Sequence, residues 1–97
     1  MSQFRKATVG ESFSINVEGK FYGELARASF GPIYDDDMID IEKVGVSPIK
    51  SKGLSIGDPC LYEYKIMPKK KGCSEIKFGT RYCSEFNENS SIEIYAE

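Results

Sequence analysis

Along most of this chain apolar side chains alternate with polar ones, the period-two pattern of half-buried β-strands. Phe13, Ile15 and Val17 alternate with Ser12, Ser14 and Asn16, and Glu18-Gly19-Lys20 then breaks the run. Residues 21–30 resume it. The stretch Leu25-Ala26-Arg27-Ala28 has helical composition, but Gly19, Gly23 and Gly31-Pro32 leave too short a run for a stable helix, and a strand is predicted. In residues 38–44, Ile39 and Ile41 face one way and Asp40 and Glu42 the other. Residues 46–59 read as a long loop, with turn signatures at Lys52-Gly53 and Ile56-Gly57-Asp58-Pro59.

The clearest strand pair follows. Tyr62, Tyr64 and Ile66 alternate with Leu61, Glu63, Lys65 and Met67, and Ile76 and Phe78 carry the pattern beyond Pro68-Lys69-Lys70-Lys71-Gly72. That connection has hairpin length and ends in Gly, where positive φ is often needed. The polar Asn87-Glu88-Asn89-Ser90 predicts a turn before a last strand over residues 92–95. With a weak opening segment at residues 5–9, about seven short strands result. The pattern predicts an all-β fold, an immunoglobulin-like antiparallel β-sandwich, with a small five-stranded barrel as the alternative. The Cys…Trp…Cys signature of true immunoglobulin domains is absent.

Size and composition narrow the function. Ninety-seven residues, read as the single domain 1–97, have a mass of 10.9 kDa. Such a chain folds to expose roughly 5,600 Å² of about 15,800 Å², burying about 65%, enough for one core. There is no histidine and no tryptophan. Without His, Ser-His-Asp and Cys-His catalysis and most catalytic zinc sites are excluded, so the expectation is a non-enzyme without cofactor or metal. A net charge of −2 offers no large single-sign field for nucleic acid or a membrane surface. No apolar run reaches signal-peptide or membrane-helix length. Cys60, Cys73 and Cys83 are odd in number and lack CxxC spacing, which predicts free thiols and a cytoplasmic location.

Few residues suggest chemistry. Asp35-Asp36-Asp37 with Asp40 could offer oxygen ligands to Ca²⁺, but the EF-hand pattern is unmet and a solvated loop is the simpler reading. Lys69-Lys70-Lys71 sits between Glu63 and Glu75 and reads as a solvated turn that discourages edge aggregation. Tyr62 and Tyr64 share the Ile66 face and read as core. Tyr22 and Tyr82 fall at strand ends or loops, where exposed aromatics anchor protein interfaces. Cys83, beside Arg81 and Tyr82, has no base to make it a nucleophile.

The layout resembles the chagasin-type inhibitors of papain-like cysteine peptidases. The carrying features are Val9-Gly10-Glu11 before Phe13-x-Ile15, Gly23 beside aromatics, and Ile56-Gly57-Asp58-Pro59 before Tyr62-x-Tyr64. Further on come Lys71-Gly72, Ile76-x-Phe78, Thr80-Arg81-Tyr82 and the closing Ile92-Glu93-Ile94-Tyr95. Where the family has Asn-Pro-Thr-Thr-Gly, this chain has Glu18-Gly19-Lys20-Phe21-Tyr22-Gly23; where the family has Arg-Pro-Trp, it has Arg81-Tyr82-Cys83. The resemblance implies an immunoglobulin-like fold and a wedge of three loops that occludes a peptidase cleft. The partner-binding residues would be Gly19, Lys20, Phe21, Tyr22 and Gly23, then Ile56, Gly57 and Asp58, then Thr80, Arg81 and Tyr82. Phe21 and Tyr22 would lie over the catalytic Cys. The other reading is a binding or structural module, such as an adaptor or a phage or virion accessory domain, docking through its loops or an edge strand.

Overall fold

The structure is a computed structural model, and it describes residues 2–23, 27–49 and 54–97. Seven strands are formed: β1 (Ser2–Ala7), β2 (Phe13–Lys20), β3 (Ala28–Ile33), β4 (Ile39–Pro48), β5 (Pro59–Pro68), β6 (Gly72–Tyr82) and β7 (Glu85–Ala96). They form a four-stranded sheet, β1-β7-β6-β3, facing a three-stranded sheet, β2-β5-β4, and no helix occurs among the described residues. The fold is the expected all-β sandwich.

Its core follows from the alternation. Val17, Tyr62, Tyr64, Ile66 and Ile39 point inward from the smaller sheet, and Phe30, Ile76, Phe78, Ile92 and Ile94 meet them from the larger. Aromatic rings run through the middle. Phe30 stacks on Tyr62 with centroids 4.8 Å apart, Tyr62 lies 6.2 Å from Tyr64, and Tyr64 tilts against Phe78 at 5.1 Å. Each such side chain contributes about 1.5–3 kcal/mol by leaving water, and Tyr62 and Tyr64 are core residues as their spacing predicts.

Several boundaries differ from the sequence expectation. Glu18-Gly19-Lys20 does not break β2, because Gly19 pairs with Cys60 and Lys20 with Pro59. Gly19 is needed there for space, since a Cβ would lie 2.6 Å from the Phe30 ring. Residues 21–23 are loop and β3 begins only at Ala28; the Leu25-Ala26 part of the strand predicted there, and the Lys52-Gly53 turn, lie outside the described residues. β4 runs on to Pro48 through a bulge between Lys43 and Gly45, which takes up the residue that disrupts its alternation.

The expected hairpin at residues 68–72 is a crossover instead. β5 belongs to the smaller sheet and β6 to the larger, and both bury one face in the same core, so the lysine-rich connection spans the two layers. The turn predicted at residues 87–90 lies inside β7, and the chain reverses at residues 82–85. One pairing is not antiparallel: β1 runs parallel to β7, with Ser2 opposite Ser91 and Ala7 opposite Ala96.

Candidate functional site

Three connections meet at one end of the sandwich, as their described residues show: 21–23 and 27 between β2 and β3, 54–58 between β4 and β5, and the tight turn between β6 and β7. They are bonded to one another. The Phe21 N–H donates to the Asp58 carbonyl at 2.9 Å, and the Gly57 N–H donates to the Phe21 carbonyl at 2.7 Å. The Cys83 N–H donates to the Arg27 carbonyl at 2.9 Å, and the Tyr22 and Thr80 hydroxyls lie 3.1 Å apart. From the core, the Tyr62 hydroxyl donates to the Lys20 carbonyl at 2.9 Å. Burial of Tyr62 pushes its pKa well above the ordinary 10.0, so it remains a donor throughout the physiological range.

Local chemistry shapes each loop. The second closes on itself, with the Asp58 N–H donating to the Ser55 carbonyl and the Ser55 N–H to an Asp58 carboxylate oxygen, both at 3.0 Å. Gly57 at φ 91° and Gly23 at φ 60° adopt a left-handed backbone that L side chains resist. Cys83 takes φ 54° in the β6–β7 turn without being glycine. That turn, Tyr82-Cys83-Ser84-Glu85, holds no Gly, Pro, Asn or Asp, so Ser84 is the one turn-forming residue that marks it.

The residues singled out from the sequence divide by role. Ile56 and Tyr82, 59% and 52% exposed, stand out as apolar side chains at this end. Phe21 is half-buried against the core, and so is Tyr22, which acts as a strut between the first loop and β6 rather than as an exposed anchor. Gly19 is buried inside β2, and Thr80 receives the Tyr22 strut. Arg81 and Tyr82 belong to β6, not to a loop; Arg81 lines a shallow depression on the sheet with Pro32, Ile33, Tyr34 and Asp36. Lys20 and Gly57 are exposed and Asp58 half-exposed. Sequence reasoning overlooked Arg27 and Ser55, whose roles are main-chain hydrogen bonds that any residue type can make.

The remaining candidate chemistry lies elsewhere. Asp35, Asp36 and Asp37 are exposed in the β3–β4 turn at the opposite end, where the Asp35 carboxylate accepts the Asp37 N–H at 3.0 Å and the Asp35 carbonyl accepts from Met38 and Ile39. These bonds explain the first aspartate as a turn former. Asp40 pairs with Lys69 at 3.4 Å. Cys60 is buried, whereas Cys73 and Cys83 are exposed, and all three are free thiols.

No protein-family model matches the chain, and no curated protein sequence matches it either. In fold it is similar to the crystal structure of the cysteine protease inhibitor EhICP2 from Entamoeba histolytica. The TM-score is 0.58 and the identity 13%, over 99% of this chain and 86% of that one. At this identity the likeness is one of fold, and the neighbour that shares the fold is an inhibitor, not an enzyme.

Proposed function

We propose that this chain inhibits papain-like cysteine peptidases by inserting the three bonded loops into the active-site cleft. The observation that carries the reading is their convergence: residues 21–23, residues 54–58 and the end of β6 with its turn, residues 80–83, are far apart in sequence, yet hydrogen bonds join them at one end of the sandwich. A wedge held this way loses little conformational entropy on docking. Ile56 and Tyr82 supply the exposed apolar contacts, Gly23 and Gly57 allow close backbone approach, and Phe21 with Tyr22 braces the centre. No step is covalent. The similarity to an inhibitor fold supports the same reading. A reducing, cytoplasmic setting is part of the proposal, because Cys73 and Cys83 are exposed thiols.

The test is titration of papain and of a cathepsin with the purified protein. Activity is expected to fall saturably, and Tyr82→Ala and Ile56→Ala are expected to weaken inhibition about 5- to 30-fold each, the cost of losing roughly 1–2 kcal/mol of interface contact. Asp36→Asn, at the far end, is expected to inhibit normally. Full peptidase activity in molar excess of the protein would rule the reading out.

A further inference from the structure

The two sheets are unequal, and the space beside β2 is open. Two adjoining depressions, 370 and 590 Å³, run along its free side. Ile15, Val17, Phe78 and Ile92 line the first together with polar groups of β1 and β7, and Tyr22, Phe30 and Thr80 line the second. The larger sheet therefore projects beyond β2 as a shelf.

Main-chain geometry says what the shelf can hold. The Phe21 N–H bonds to Asp58, so by antiparallel alternation the odd-numbered residues of β2 turn their main-chain groups toward β5. Ser14, Asn16 and Glu18 turn theirs outward. Asn89, set out of register by a bulge in β7, already donates its side-chain N–H to the Glu18 carbonyl at 2.9 Å, doing what one N–H of an added strand would do. Among the described residues no strand pairs with β2 on this side.

The other sheet edges carry devices that hinder pairing. β3 has Pro32, β1 has Arg5 and Lys6, and β4 has its bulge, Lys43 and Pro48. β2 has no proline and no bulge, and its two charges, Glu18 and Lys20, are of opposite sign.

We propose that the free edge of β2 is a docking site for an extended polypeptide segment, which adds antiparallel as a fourth strand of the smaller sheet. The shelf favours a lone segment over a second folded copy, whose own projecting sheet would occupy the same space. Charge and pocket chemistry give the pattern. Lys20 and Glu18 are exposed on the outer face, so the added strand carries an acidic residue opposite the first and a basic one opposite the second. Between and after them, apolar residues roughly 7 Å apart point into the two depressions, and the strand takes over the Glu18 carbonyl that Asn89 otherwise holds. The segment reads acidic-apolar-basic-apolar.

This site does not depend on peptidase inhibition and is tested without a peptidase. The probe is the blocked peptide Thr-Glu-Val-Lys-Val-Thr, added to the ¹⁵N-labelled full chain. Amide shifts are expected to concentrate at Asn16, Glu18 and Lys20, with hydrogen exchange of the Asn16 amide slowed about 5-fold or more at saturation. A peptide with Glu and Lys exchanged is expected to bind at least about 3-fold more weakly, and Glu18→Lys to erase that preference. Asn16→Pro, which removes an outward N–H at a strand edge that tolerates proline, is expected to abolish binding; if it does not fold, Glu18→Lys decides. No amide shifts at millimolar peptide, shifts centred on β1, β3 or β4, equal binding of both peptides, or dimerisation of the chain through β2 would each overturn the proposal.

Discussion

The Tyr64 hydroxyl is buried without a hydrogen-bond partner, in the middle of the aromatic stack. Burial, with a smaller contribution from the neighbouring Cys60, pushes its pKa up to about 12. A buried hydroxyl left unpaired costs about 1–3 kcal/mol in lost solvation, whereas its ring contributes through contact with Tyr62 and Phe78. Tyr64→Phe keeps the ring and removes the unpaired group. It is expected to leave stability unchanged or raise it by about 1 kcal/mol, measured by urea unfolding; a loss of that size would mean the hydroxyl has a partner. Tyr62 is the contrast, because its hydroxyl holds the first loop at Lys20. Two tyrosines with one alternation thus do different jobs, and the difference depends on what lies across the core from each.

At the scale of an element, β7 shows how one strand serves two tasks. Its second half pairs with β1 and β6 and fills the core with Ile92 and Ile94. Its first half bulges opposite the Phe78-Gly79 step, and the bulge sends Asn89 across to β2. Gly79 makes the bulge possible, since a Cβ there would collide with the Asn87 carbonyl oxygen and the Phe86 ring. Backbone cannot yield as a flexible side chain does. Gly79→Ala is therefore expected to destabilise by about 1–3 kcal/mol, the range for overpacking, and to weaken protection of the Asn87 and Asn89 amides in hydrogen exchange. An unchanged denaturation midpoint would show that the bulge relaxes freely.

For the whole molecule, the solvent-accessible surface is 6372 Å², above the roughly 5,600 Å² expected for this mass. The excess fits a thin sandwich with an uncovered shelf. Its acid–base behaviour is equally simple. Burial raises the pKa of Cys60 above the ordinary 9.0, and those of Tyr62 and Tyr64 above 10.0. A group whose pKa is higher in the folded state binds its proton longer there, so its stabilising effect is complete below the unfolded value and lost as pH rises through the folded one. Stability is expected to fall from about pH 9 upward and steeply between pH 10 and 12, each buried tyrosine contributing about 1.4 kcal/mol per pH unit across its window. Thermal unfolding followed with tyrosinate absorbance checks this without interference from tryptophan, which the chain lacks. A melting temperature flat to pH 12 would contradict it.

What could be read from residue order is what depends on local physics. Period-two alternation identified the cores of β2, β5 and β6, because burying one face of a strand constrains every second residue whatever lies opposite. The missing histidine excluded whole classes of chemistry, since no fold can supply a side chain that is absent. The convergence of Tyr22, Gly57 and Tyr82 at one end was not legible, because strands from two sheets place those loops together. Nor was the crossover at residues 68–72, as a hairpin and a layer change can have the same length and turn residues. The reversal was expected at residues 87–90, with Tyr82 read only as a strand end or loop, because tertiary pairing holds Cys83 in a conformation its own side chain does not favour. Only the three-dimensional structure set the open edge of β2 above a shelf, for that depends on which strands of the other sheet lie beneath it and not on the residues of β2.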